Sequence, residues 1–135
     1  MLLSDSAQVA DGKLYVLGGG LAMVGPKPQP VAVAMLMRIP WDRANLKHNW
    51  KLELVDEDGR PVMAGQRPLL VQGNLEAGRP AGLAPGTPLP VPMAINFSAL
   101  PLPAGRSFEF RLAIDDTSEP DWVLPFSTRP APAAT

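Results

Sequence analysis

The chain has 135 residues, no cysteine, one histidine and a formal net charge of −1. One domain suffices for that length, and the missing cysteine excludes a disulfide framework, thiol catalysis and zinc–thiolate sites. The single histidine excludes two-histidine acid–base pairs and His-rich metal sites. The 12 Lys and Arg are interspersed with 13 Asp and Glu, so no basic stripe is offered to a nucleic-acid backbone.

The first residues, MLLSDSAQVADGK, lack the basic start and apolar run of a signal peptide. The longest apolar run, Val31–Met37, falls far short of the roughly 20 residues of a membrane span. The expectation is a soluble cytoplasmic protein without membrane contact. Its 17 prolines and 12 glycines, with Arg favoured over Lys, suggest a GC-rich bacterial genome.

In chain order, Leu2–Val9 reads as a strand, and Asp11-Gly12 closes a hairpin onto Lys13–Leu17 because both turn positions tolerate positive φ. Gly18-Gly19-Gly20 ends that strand, and Leu21–Val24 resumes it before the proline-rich loop Gly25–Pro30. Val31–Ile39 is the most apolar strand. Its odd positions are large and apolar, and its even positions begin Ala32, Ala34 and Leu36, which predicts a central strand or one whose outer face meets another subunit. Pro40–Lys47 predicts one or two helical turns, or a loop capped by Trp41.

His48–Ala64 reads as a hairpin about the turn Asp56-Glu57-Asp58-Gly59, with Trp50, Leu52 and Leu54 on the buried face. Arg67–Leu75 is a further strand, and Glu76–Pro90 a long irregular loop. Val91–Ala99 and Ser107–Ile114 alternate cleanly about the corner Leu100–Gly105. Asp115–Pro120 is a polar loop. Trp122, Leu124 and Phe126 define a last strand that Pro125 marks as an edge. The core expected from these faces joins Trp50, Leu52 and Leu54 to Ile95, Phe97, Phe108, Phe110, Leu112 and Trp122.

The sum is an all-β protein: an antiparallel two-sheet sandwich of seven to nine strands over residues 1–128, with at most one short helical turn near residues 41–47. Residues 129–135, RPAPAAT, are expected to be a disordered tail. The corner with Gly105 followed by Phe108-x-Phe110-x-Leu112 resembles that of immunoglobulin-like and fibronectin-III-like sandwiches. In that resemblance Val31–Ile39, His48–Val55 and Arg60–Ala64 stand for strands B, C and C′. A tyrosine at the corner and a cysteine pair are both missing. The phrase Ala7–Gly20, AQVADGKLYVLGGG, with Pro40-Trp41-Asp42, resembles a family of small bacterial proteins of unknown function, and that resemblance implies no activity.

Candidate sites are few. Gly18, Gly19 and Gly20 could bring amides to an anion, but the Gly-x4-Gly-Lys-Ser/Thr spacing of a phosphate loop is absent, and a bend explains them as well. Trp41 is either a core lid or a binding hot spot. Asp56, Glu57 and Asp58, and the acidic run from Asp115 to Asp121, lack the spacing of a calcium loop, so no metal is expected. His48 reads as a strand-start residue near the surface, since no nucleophile motif accompanies it. No catalytic residue and no cofactor are predicted. The sequence favours a non-enzymatic protein-binding or assembly module, with a protein partner or a second copy as occupant and Ala32, Ala34 and Leu36 as the self-association surface. The alternatives are a small-ligand binder or enzyme using Gly18–Gly20 with Trp41 at the pocket edge, and a subunit of a larger bacterial or phage-derived apparatus.

Overall fold

The computed structural model describes residues 1–100 and 102–132. Its strands are β1 (Leu2–Ser4), β2 (Ser6–Ala10), β3 (Lys13–Leu17), β4 (Met23–Val24), β5 (Val31–Ile39), β6 (His48–Asp56), β7 (Met63–Ala64), β8 (Arg67–Pro68), β9 (Leu70–Leu75), β10 (Leu89–Phe97), β11 (Ser107–Ile114) and β12 (Val123–Thr128), with one 3-10 turn at Trp41–Arg43. The all-β expectation holds. The strand segments outnumber the seven to nine expected because Leu2–Val9 breaks at Asp5 and Arg67–Leu75 breaks at Leu69, and both β4 and β7 are two-residue pieces. No helix among the described residues is long and apolar enough to cross a membrane.

Two main sheets face each other. One has the order β1-β5-β10 and the other β4-β12-β11-β6-β9. Every pairing in them is antiparallel except the short β4–β12 contact. The period-two faces meet between the sheets: Val31, Val33, Met35 and Met37 pack against Trp50, Leu52, Leu54, Phe108, Phe110, Leu112 and Phe126. Phe110 stacks between Phe97 and Phe126, with centroids 5.6 Å away on both sides, so the core is built on an aromatic column. Ile95, Phe97 and Trp122 lie half-buried at its margin, as the alternation of their strands implies.

The outer face of β5 is covered from within the chain. β2 and β3 form a separate two-stranded ribbon, closed by Asp11 and Gly12, both at positive φ as the dipeptide predicts. The ribbon lies over Ala32 and Ala34, which are buried with Ala7 against Leu14 and Ala94. The expected self-association surface is therefore corrected. Small alanines on the outer parity of β5 make room for the N-terminal ribbon, and Leu36 alone of the three stays half-exposed.

The long hairpin also departs from its expected form. Asp56 folds the turn, its Oδ1 accepting the Asp58 and Arg60 amides at 2.9 Å each. The returning chain then pairs with β6 only as far as Val62, whose N–H donates to the Leu54 carbonyl. It leaves as the β7–β8 arm, and the strand beside β6 for six residues is β9, not Arg60–Ala64. At the other side of the sheet, Pro125 sits where β12 has no neighbour beyond β11, because β4 pairs only with Ser127 and Thr128. Of the expected tail, the Arg129 amide donates to Val24 and its carbonyl accepts from Gly105, while residues 133–135 lie outside the described residues.

Candidate functional site

Gly18–Gly20 and Trp41 fall at opposite ends of the molecule. Gly20 and Leu21 both donate their amides to the Leu3 carbonyl, which places the glycines beside the start of β5, where Leu3 pairs with Val33. Trp41 lies eight residues further along, about 25 Å at strand rise, so the two do not border one pocket. The glycines make a tight crossing: a side chain on Gly18, at φ +65°, would run into the Asp5 carboxylate. Bound in this way, the Gly20 and Leu21 amides close the open edge of β1.

Trp41 caps a second small cluster of Ile39, Ala77 and Leu89, and so holds the 76–88 loop against the sandwich. Arg79 covers the indole with its guanidinium 4.5 Å from the ring centroid. Its Nε and Nη2 both donate to the Trp41 carbonyl, at 3.2 and 2.7 Å. A shallow groove runs along its other side between Pro40, Asp42, Gly86 and Pro88.

His48 is buried rather than at the surface, with 4% exposure. It occupies the inward parity of β6, in line with Trp50, and its two ring nitrogens reach across to different segments. Nδ1 lies 2.7 Å from Asp115 Oδ2, and Nε2 lies 3.2 Å from the Arg43 carbonyl. Both partners are pure acceptors, so the doubly protonated ring satisfies both bonds and the neutral ring satisfies one. The Asp115 hydrogen bond accordingly raises the His48 pKa above its ordinary 6.5. Burial opposes this shift, and the Arg43 carbonyl reinforces it. Asp115 is held below the usual carboxylate range, first by His48 and then by the Asn49 amide donating to Oδ1 at 2.9 Å.

The geometry behind this contact is a surprise in the expected polar loop. Ile114 and Thr117 exchange backbone hydrogen bonds around a two-residue turn, with Asp115 at φ 51° and Asp116 at φ 62°. That turn is of the kind that usually takes Asn-Gly. The histidine thus bolts the 3-10 turn, the start of β6 and the β11 turn to one another. Both ring nitrogens face acceptors within the fold, at 2.7 and 3.2 Å. Thr117 lines the same region, and among the described residues the imidazole bonds to Asp115 and the Arg43 carbonyl, not to Thr117.

Around this bolt lies a cleft of about 390 Å³ lined by Arg38, Pro40, Arg43, Ile114, Thr117 and Trp122. Among the described residues neither arginine is paired with a carboxylate. No group of three or more His, Asp or Glu side chains among them could hold a metal ion. No sequence signal foretold the His48–Asp115 pair, because 67 residues separate partners that meet only through the β6–β11 register.

A different surface is defined by backbone groups. In the β6–β9 pairing the inward residues Val71, Gly73 and Leu75 direct their amides and carbonyls toward β6, in the register set by the Leu54 amide donating to the Leu69 carbonyl, while the Leu69 amide donates to Val62. Leu70, Gln72 and Asn74 therefore direct theirs to open solvent, since β9 has no neighbour on that side. The other edges of the two sheets are blunted. β1 is three residues long and capped by Gly20 and Leu21, and β10 carries Pro90 and Pro92 at outward positions. At the remaining edge β4 has two residues and Pro125 adjoins it. β9, LVQGNL, has six residues with no proline and no charge.

These features define an all-β sandwich with a structural histidine–aspartate bolt and, of the four edges of its two main sheets, one that is unprotected. The chain belongs to the Family of unknown function (DUF6941), whose model matches residues 1–126. No curated protein and no solved structure matches the chain.

Proposed function

We propose that the protein is a non-enzymatic binding module that adds an extended strand of a protein partner to the open edge of β9. The observation that carries this reading is the contrast between edges. Three are closed by proline, brevity or capping amides, and the fourth presents uncharged backbone donors and acceptors along Leu70, Gln72 and Asn74. A strand laid there gains ladder hydrogen bonds as its main source of affinity, and exposed Leu70 and Met63 add apolar contact. The sheet orders support an immunoglobulin-like assignment, with β1-β5-β10 in the place of strands A, B and E and β12-β11-β6 in that of G, F and C. β9 then stands where C′ belongs. A cytoplasmic bacterial setting fits the composition of the chain, and the interspersed charges argue against nucleic acid as partner.

The test is affinity purification from the native host with wild type and Gln72→Pro in parallel. Proline removes one outward amide without touching the β6 ladder. A partner held by the wild type and lost by the variant supports the reading. The same partners on both would overturn it.

A second reading, a small anionic ligand in the cleft, draws support from Arg38 and Arg43, which face it without carboxylate partners. A rise in melting temperature with inorganic phosphate or simple carboxylates, abolished by Arg38→Ala, would favour it.

A further inference from the structure

We infer that the strand received by β9 is β9 of a second copy, related by a two-fold axis through Gln72. This inference rests on the strand-addition reading above. A two-fold perpendicular to an antiparallel sheet must pass between a residue and its own symmetry mate, so the register is set by the choice of one residue. Only Leu70, Gln72 and Asn74 carry outward backbone groups. An axis at Gln72 sets Gln72 against itself and Leu70 against Asn74 of the partner subunit, in both directions. All three outward residues of each copy then lie in hydrogen-bonded pairs, giving about six N–H···O=C bonds. Moving the axis to Val71 would set Asn74 against Pro68, which has no amide to give.

The side chains agree with that register. On the inner face Val71 comes opposite Gly73 of the partner subunit, the position where the chain omits a side chain beside Trp50. Leu69 comes opposite Leu75 of the partner subunit, and both already pack at the margin of the core. On the outer face the central pair is two glutamine amides, each able to donate and to accept. β9 itself carries no charge, and Lys51 and Glu53 on β6 sit one strand back, so no like charges are set opposite each other. The product is a continuous ten-strand sheet made from two five-strand sheets, which covers the one unprotected edge of the main sheets in each copy.

The absence of native cysteine makes the register directly testable. Across the proposed axis the two Cα atoms at position 72 would lie about 5.5 Å apart, inside the disulfide range. Full-length Gln72→Cys should form a covalent dimer nearly completely in a glutathione redox buffer. Asn74→Cys, whose proposed mate is Leu70, should remain at least tenfold less cross-linked. In sedimentation, the wild type should pass from monomer to dimer with concentration, and Gln72→Pro, folded by circular dichroism, should remain monomeric over the same range.

Equal cross-linking at both positions, a dimer indifferent to Gln72→Pro, or a wild type monomeric throughout with no Gln72→Cys dimer would each overturn the two-fold. A monomeric chain whose host partner is nevertheless lost with Gln72→Pro would refute the second copy alone, and the strand-addition reading would stand.

Discussion

The Asn96 side chain holds the backbone of Ala7 from both sides. Its Oδ1 accepts the Ala7 amide at 3.3 Å, and its Nδ2 donates to the Ala7 carbonyl at 2.8 Å. One side-chain amide thereby does for β2 what a neighbouring strand would do. It docks the ribbon on the outer face of β10 and β5, with Ala32 and Ala34 sealed beneath. Asn96→Ala should leave the amide and carbonyl of buried Ala7 unpaired and cost about 1–3 kcal/mol. Hydrogen exchange would localise the effect: the β2 and β3 amides should lose protection while those of β11 keep theirs. Uniform loss across both would mean that the ribbon is not a separate docking unit.

The His48–Asp115 bolt predicts a pH dependence of defined sign. The His48 pKa is raised on folding, so the stability it contributes is fully present below its unfolded value of 6.5 and is lost as pH rises through the folded value. The Asp115 pKa is lowered, so its contribution is present above the unfolded value of 3.8 and is lost as pH falls through the folded value. The pair therefore contributes most between about pH 4 and pH 6.5. The chain has no other histidine and no cysteine, so a fall in melting temperature as pH rises above about 6.5 reports chiefly on this ring. Asp115→Asn should flatten that fall. An unchanged slope in Asp115→Asn would show that the carboxylate does not hold the imidazolium.

Alternation made the core legible because period-two faces are a local property: Trp50, Leu52 and Leu54 could be matched to Phe108, Phe110 and Leu112 before any pairing was known. The Asp11-Gly12 turn and the limits of β5 and β11 were legible for the same reason. What covers a face is not local. Ala32 and Ala34 read equally well as a subunit contact and as a seat for the chain's own ribbon, and only the Asn96–Ala7 pairing decides between them. The site was less legible still, since His48 acquires its meaning from an aspartate 67 residues further along the chain. The unprotected edge was half-written in the sequence, in the alternate prolines of LPVPM against the uncharged LVQGNL, but which strands are edges follows from topology.

Trp50 and Gly73 form a matched pair across β6 and β9. A Cβ placed on Gly73 would lie 3.0 Å from Trp50 Cζ2, so the indole occupies the room that glycine leaves. Trp50→Ala should cost about 3–5 kcal/mol as a large aromatic leaves the core. Gly73→Ala should cost about 1 kcal/mol in the wild type by crowding that ring. In a Trp50→Leu background the same Gly73→Ala change should be neutral or favourable, since the crowding is gone and alanine has less backbone entropy to lose. A double-mutant cycle in urea should therefore show a coupling of about 1 kcal/mol. Additive costs would mean that the indole does not lie over β9.

The β11 turn separates two aspartates of nearly equal backbone conformation. Asp115 at φ 51° and Asp116 at φ 62° both sit in the left-handed region, which glycine enters without a Cβ penalty. Relief of that penalty argues for glycine at both positions, and the side chains decide otherwise at one. The Asp116 carboxylate pairs with Lys51 at 3.3 Å between exposed groups, an interaction of little weight. Asp115 accepts from His48 and from the Asn49 amide. Asp116→Gly should therefore raise stability by about 0.5–1 kcal/mol and produce the Asp-Gly pair this turn prefers. Asp115→Gly should lower stability despite the same backbone relief, because it releases the imidazole and the amide together. Urea midpoints at unchanged slope would measure both. Shifts of the same sign would show that backbone strain, and not the histidine bolt, governs this end of the sandwich.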